Sequence, residues 1–320
     1  MTEKQELTVV SVNISKQTGT RKQPVDSIEL TGQGVTGDAH AGDWHRQVSL
    51  LAQESIDRFV AETGRKTEPG EFAENITTRD FDLRQVAVLD RFSCGDLLLE
   101  VTQIGKKCHG DTCAIFREVG KCTMPKEGIF CRVLTGGALR AGDELVYEPQ
   151  PLWIKIVTLS DRVSAGTYED RSGPAIERAL AEFFEGKRWH PSVRREVLPD
   201  DALALQAALE SALKDGCSIM ITTGGTGVGS RDITPEVVIG FCNKLIPGIM
   251  DAIRLKYGAE KPNALLSRSV AGVKDRMLVY ALPGSVRAVQ EYMPEVFKTL
   301  EHLILTVNDI DPHREEAAAG

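Results

Sequence analysis

The chain has 320 residues, 42% of them hydrophobic and 26% charged, with a formal net charge of −8. That length allows two ordinary domains, each burying its own core, and the acidic balance argues against nucleic acid as a partner. The charged amino end MTEKQELTVV has no apolar h-region, and no run approaches the roughly 20 apolar residues of a membrane span, so a cytoplasmic protein without membrane contact is expected.

The first half reads as short strands separated by turns. LTVVSVNI, QVSLLA, LLLEVTQI and GIFCRVL have strand composition, and TGQGVTGD and LTGGALRAGD are the turn-rich text around them. Only AQESIDRFVAETG has firm helical periodicity. Residues 1–148 are therefore expected to be mainly β, a small barrel. Pro149 and Pro151 flank Gln150, and two prolines so close favour an extended connector over 149–151.

From 152 to 310 strands and helices alternate, leaving a tail at 311–320. IKIVTLS is apolar and β-branched, and Pro174 opens PAIERALAEFF, with Ile176, Ala179, Leu180 and Phe183 on one face. VRREVLP is a strand, and DALALQAALESALK a helix begun by an acid suited to capping. CSIMITT is a buried strand that feeds a glycine-rich loop, after which Thr234 suits an N-cap and Pro235 the first helical position. MLVYALPGS is a further strand and loop before a long helix with Val289, Phe297, Leu300 and Leu303 inward. Alternation of this kind implies an α/β fold with a mostly parallel sheet flanked by helices. Ligands of such sheets bind beyond the carboxyl ends of the strands.

Three loops then lie side by side at that end, each with an acid: Asp161 in SDRVSAGTYEDRSGP, Asp200 in LPDD, and Asp232 in TTGGTGVGSRDITPE. The last segment places Gly224, Gly225, Gly227 and Gly229 within six residues. Backbone N–H groups of such a loop and of the helix start after it bind phosphate. Carboxylates beside phosphates repel them unless a cation lies between, so the arrangement predicts Mg²⁺ with a nucleotide or another phosphate. The plainer reading is a capped turn at a strand–helix junction.

LSDRVSAGTYEDRSGP, LPDD, TTGGTGVGSRDITPE, ALLSRSVAG and LPGS together resemble the molybdopterin adenylyltransferase family, the MogA/MoaB-like fold, over about residues 152–308. The resemblance implies binding of molybdopterin and MgATP, and adenylylation of molybdopterin with release of pyrophosphate. It implies that Asp232 is the catalytic acid near Mg²⁺ and that Asp200 is a second functional acid and metal contact. Gly224, Gly225, Thr226 and Gly227 match the phosphate-facing loop. Ser160 and Asp161 match the first loop, Ser267 and Arg268 the surroundings of the pterin phosphate, and Pro283, Gly284 and Ser285 a further ligand loop. Val286 stands where the family often has proline, and Arg287 near a common lysine. Relatives of this half are commonly trimers, which implies a homo-oligomer.

GVTGDAHAGDWHRQVSLL, GEFAENITT, GDLLLEVTQIGKKC and EGIFCRVLTGGALRAGDEL resemble the MOSC domain, over about residues 5–147. That resemblance implies binding of the molybdenum cofactor or transfer of sulfur to it, with Cys108 at the place of the cysteine that carries sulfur or contacts metal. A cysteine desulfurase or an apo-molybdoenzyme is the implied protein partner. Lys106, Lys107 and His109 around Cys108 favour its thiolate, and the plainer reading is an inert cysteine in a turn. Zinc held by Cys108, His109, Cys113 and Cys122 is a weaker reading, since no CxxC pair is present. The seven cysteines are odd in number and read as reduced thiols. Cys94, Cys131, Cys217 and Cys242 read as small core residues.

His40 and His45 read as loop-ordering, and Arg21 and Lys22 as contacts for an anionic pterin phosphate or, more plainly, as a solvated basic turn. Arg46 and Lys126 are further candidates for an anionic pterin. Glu74 and Asn75, in FAENIT, read as fixing loop geometry. Both halves point to one pathway, molybdenum or tungsten cofactor biosynthesis. The rival reading is a non-catalytic cofactor carrier or insertion chaperone. A second rival does redox chemistry on bound cofactor through Cys108.

Overall fold

A computed structural model describes residues 5–107 and 121–311. The chain divides into two compact units, with the boundary between Gln150 and Pro151.

In the first unit the strands are β1 (Gln5–Ile14), β2 (Gln23–Val25), β3 (Ser27–Thr31), β4 (Gly34–Val35) and β5 (Val48–Ala52). Helix α1 (Gln53–Thr63) follows, then β6 (Ile76–Arg79), β7 (Arg91–Cys94), β8 (Leu97–Ile104), the short α2 (Met124–Glu127), β9 (Ile129–Thr135), β10 (Gly137–Arg140) and β11 (Glu144–Glu148). The strands run in the order β11-β7-β8-β9-β5-β6-β1, and β11 pairs again with β1, closing a seven-stranded barrel. Closure leaves no bare edge among those seven strands. β3 alternates exposed and buried residues, as a strand with one wet face must. Val9, Leu50, Leu99, Ile129, Val133 and Leu145 belong to the core. Helix α1 ends at Gly64, whose φ of 70° gives the left-handed cap that side chains disfavour.

The second unit contains β12 (Leu152–Leu159), α3 (Asp161–Ser164), α4 (Ser172–Phe184), β13 (Pro191–Leu198), α5 (Ala202–Lys214), β14 (Ile219–Thr223) and α6 (Thr234–Phe241). Then come β15 (Lys244–Leu245), α7 (Pro247–Gly258), a 3₁₀ turn (Pro262–Leu266), β16 (Val270–Lys274), β17 (Met277–Leu282) and α8 (Val286–Val307). The sheet order is β13-β12-β14-β17-β16-β15. β13, β12, β14 and β17 are parallel, but β16 pairs antiparallel with β17 and β15 antiparallel with β16. The sheet is thus mixed, with its parallel part confined to β13, β12, β14 and β17. The tight link between β16 and β17, through Asp275 at φ 54°, joins them as a hairpin, and a hairpin forces antiparallel pairing.

Val157, Leu159, Met220 and Val279 face α5 and α6, sharing a core with Leu205, Leu209, Val238 and Phe241. Ile154 and Ile156, out of phase with them on β12, point to the other face. There α4 and α8 contact the sheet, with Phe183 stacked on Phe297 at 4.2 Å. The buried stripe of α8 is Val289, Tyr292, Met293, Val296, Leu300 and Ile304, and Phe297 and Leu303 flank it rather than lead it.

Among the described residues no helix is long and apolar enough to cross a membrane.

Candidate functional site

Parallel pairing brings the carboxyl ends of β12, β13, β14 and β17 to one edge of the sheet. β12 has β13 on one side and β14 on the other; α4, which follows β12, and α5, which follows β13, cover opposite faces of the sheet. A crevice opens at such a switch of direction. Ser160 caps α3 by accepting a hydrogen bond from the Val163 N–H at 3.3 Å. Asp161 and Asp200 are locked reciprocally: each backbone N–H donates to the other's carboxylate at 3.1 Å. The loops after β12 and β13 are thereby tied together.

The glycine loop follows β14 in the middle of this edge, and its glycines have physical reasons. Gly224 has φ 109°, and a Cβ there would collide with the Leu159 carbonyl. Gly225 has φ 61°, and a Cβ would lie 2.6 Å from the Thr234 hydroxyl. That hydroxyl donates to the Gly224 carbonyl at 2.8 Å. Thr234 is the first residue of α6 and leaves the N-cap position to Ile233, so its expected capping role is replaced by this tie across the loop. The carboxylate of Asp232 turns back to accept from the Gly229 N–H at 2.7 Å, and a Cβ on Gly227 would press on it at 2.7 Å.

Arg268 frames the loop from outside. Its Nε donates to the Gly227 carbonyl at 2.6 Å and an Nη to the Asp232 carbonyl at 2.7 Å. The other Nη pairs with Glu236, whose carboxyl is held below its ordinary value by that guanidinium. Ser267 shares a hydrogen bond with Ser269 at 2.6 Å and a longer one with Thr226 at 3.5 Å. From β17, the Pro283 carbonyl accepts from the Thr223 hydroxyl at 2.9 Å, and Gly284 lies close enough to Gly224 that a Cβ would sit 3.1 Å from its Cα. Ser285 caps α8 through the Ala288 N–H at 3.1 Å, so Val286 simply begins that helix. Arg287 is exposed and pairs with Glu291.

All the candidates of this half thus sit on adjoining loops. The Asp232 carboxylate, however, turns into its own loop, whereas Asp161 and Asp200 are tied to each other. Among the described residues no three His, Cys, Asp or Glu side chains converge as a metal-binding set. The carboxylate oxygens of Asp161, Asp200 and Asp232 are hard donors that suit Mg²⁺, whose shell is ordinarily completed by water and phosphate.

In the first unit Cys108, with His109 and Cys113, lies outside the described residues. What the structure does gather is a buried polar cluster that joins Lys22 to residues of two of the MOSC-like stretches, Asp38 and His40 from one and Asn75 from the other. Lys22 is 2% exposed, and its Nζ lies 2.5 and 2.6 Å from the two oxygens of Asp38. His40 Nδ1 is 3.2 Å from both Lys22 Nζ and Asp38 Oδ1, and Asn75 Nδ2 donates to Asp38 at 3.2 Å. Lys22 is therefore no solvated turn residue, although Arg21 beside it is exposed. Burial pulls the Lys22 ammonium down from its ordinary value, against the pull of Asp38. Burial also acts to raise Asp38, but His40 and Lys22 outweigh it and hold this carboxyl far below the usual range. Asn75 knits the cluster to β1 and β5 through Asn13 and Ser49. Lys22 has no local signal, since its partner lies 16 residues away. Asp38 has one: it precedes His40 by two in a glycine-rich turn and accepts that residue's N–H at 2.9 Å.

Cys131 is a core residue with its thiol pushed up by burial, and Cys242 is pushed up to about 11 for the same reason. Cys94 and Cys217 are raised by burial too, though Cys94 and Cys242 are only half-buried.

The family model described as a probable molybdopterin binding domain matches residues 155–302, and the MOSC domain model matches 37–146. The chain is 33% identical over 156 residues to the molybdopterin adenylyltransferase of Helicobacter pylori, an overlap of 48% of this chain and 87% of that protein. The chain belongs to the molybdopterin adenylyltransferase family. The enzyme of that name from Escherichia coli K12 is 32% identical over 150 residues, covering 45% of this chain and 73% of its own length. A solved MogA structure is 34% identical, covers 49% of this chain and 99% of that one, and superposes with a TM-score of 0.45. The family's half is the one whose strand ends converge on the glycine loop, and a MOSC domain precedes it.

Two outcomes are expected from this geometry. Gly224→Ala forces a strained backbone and a clash with Leu159, and is expected to cost roughly 2–4 kcal/mol in denaturant unfolding of the second unit. A loss near zero would mean that the loop relaxes freely. Glu74 is fully buried: Oε1 accepts from the Gly70 N–H at 2.5 Å, and Oε2 has no hydrogen-bond partner among the described residues. Burial raises its pKa, against the Gly70 hydrogen bond. An acid raised in the native state keeps its proton after the unfolded chain has lost it, so this group costs stability as pH rises above about 4.3. Glu74→Gln mimics the protonated acid, and its Tm relative to the parent is expected to climb between about pH 4 and pH 8. A flat difference over that range contradicts the assignment.

Proposed function

We propose that the C-terminal unit adenylylates molybdopterin with MgATP, releasing pyrophosphate, and that the MOSC domain binds the cofactor or transfers sulfur to it. The observation that carries the first part is the glycine loop framed by Asp200 and Asp232 at the edge where four strand ends converge. Its backbone N–H groups suit phosphate, and its glycines allow close approach. A terminal phosphate of the pterin is the nucleophile, and it is already ionised at neutral pH, so no general base is required. It attacks the α-phosphorus of ATP, and the bond to the pyrophosphate oxygen breaks. The protein's task is to hold two anions in line and offset their repulsion. Asp232 and Asp200 would hold Mg²⁺, which when bound neutralises the phosphate charge.

For the MOSC domain, what supports cofactor binding is the buried polar cluster in which Lys22 pairs with Asp38 and His40 lies beside both. Cys108 is the proposed sulfur carrier. A cysteine desulfurase or an apo-molybdoenzyme is the proposed partner, and fusion would raise the local concentration of a labile pterin between the two sites. Non-catalytic carriage is the competing reading, but two acids beside a phosphate loop add nothing to pterin binding alone.

The test is pterin-dependent release of pyrophosphate from MgATP by the full chain. Asp232→Ala is expected to reduce it on the order of 10²–10³-fold, while equal rates overturn the role of Asp232. No release by the parent protein would favour carriage.

A trimer through the C-terminal unit is also proposed. Ile239 and Leu245 are about half exposed and line a cavity of 370 Å³ with Met250, and Leu265 and Leu266 are exposed as well. Apolar surface of this kind calls for a cover. Ile239→Ser with Leu245→Ser is expected to convert trimer to monomer in light scattering. A monomeric parent protein, or an unchanged trimer in the variant, contradicts that assembly.

A further inference from the structure

Two arginines stand at the mouth of the glycine loop, and the family resemblance singles out Arg268 as the one near a ligand phosphate. Its hydrogen bonds give it other work. Nε and one Nη are spent on the carbonyls of Gly227 and Asp232, the other Nη on Glu236, and its own N–H donates to the Thr226 carbonyl at 2.9 Å. A guanidinium has five N–H bonds in one fixed plane. Swinging this one onto a phosphate would strip both carbonyls of a charged donor and open the loop it closes.

Arg231 is built differently. Its side chain is 67% exposed, and it pairs with Asp161, itself 41% exposed, at 2.5 Å. An exposed pair of this kind is worth only about 0–1 kcal/mol. Asp161 does not depend on it for position, because Asp200 holds both its N–H and its Oδ1. A polyphosphate offers a guanidinium more charge and a bidentate acceptor. Arg231 also adjoins Asp232, on the loop whose N–H groups suit that anion.

We propose that Arg231 is the phosphate-binding cation of this site, parked on Asp161 until the nucleotide arrives, and that Arg268 is a positioning residue that frames the loop. The inference rests on the transferase reading for its ligand, a nucleotide polyphosphate. Asp161 is then a competitor of the incoming anion. The two halves of one ion pair must affect binding in opposite directions.

The experiment is calorimetric titration of the full chain with inorganic tripolyphosphate at one fixed Mg²⁺ concentration, the same for every variant. Arg231→Ala is expected to weaken binding at least tenfold, Arg231→Lys less, and Asp161→Asn to tighten it several-fold. Unfolding midpoints of the same variants separate lost binding from lost folding. Equal affinity in Arg231→Ala overturns the proposal, and so does absence of binding by the parent protein. Weakening by both Arg231→Ala and Asp161→Asn also overturns it, since the pair would then be a mere clasp between loops. Tripolyphosphate binding through Arg231 without pyrophosphate release would keep this inference and sink the transferase reading.

Discussion

The constraint on which the second unit depends is the meeting of β12 and β14 under Gly224. The Leu159 carbonyl approaches so closely there that no side chain fits, and the chain must pass at φ 109°. Everything else at the site is arranged around that approach. Thr234 ties the start of α6 to the Gly224 carbonyl, Arg268 holds the far side of the loop, and Asp200 anchors Asp161 across the neighbouring strands. The loop is thereby held in shape by the protein's own contacts. Preorganisation of this kind reduces the reorganisation that binding two anions would otherwise require.

Charge is distributed with the same logic. The chain is acidic overall, and three carboxylates line the edge where phosphates are proposed to bind. Their repulsion is balanced locally by Arg231 and Arg268, one exposed and one committed to backbone carbonyls. In the MOSC domain the balance is struck under cover. Lys22 and Asp38 are both out of water, and such a pair survives only with further hydrogen bonds, here from Asn75, His40 and Ser15. Removing either partner would strand a buried charge.

Much of this is legible in the chain, for reasons that differ by element. Strand alternation and the proline pair outline a β-rich half and an α/β half, because period-two burial and fixed proline φ are local properties. The site loops are legible because a parallel sheet puts every strand's carboxyl end on one side. The antiparallel pair β15 and β16 is not, since VAGVK reads like any short strand and its direction depends on the hairpin into β17. Thr234 satisfies the rule for a cap because it precedes a proline, whereas its real partner is a carbonyl ten residues back. Lys22 is hidden for a related reason: burial of a lysine depends on what folds over it.

The most direct measurement follows the α-phosphorus. ATP labelled there, incubated with Mg²⁺, molybdopterin and the full chain, is predicted to yield labelled adenylyl-pterin, while the β- and γ-phosphates leave together as pyrophosphate. If the pterin binds and the label stays with the nucleotide, the glycine loop holds phosphate without transferring it, and adenylylation is not what this site does.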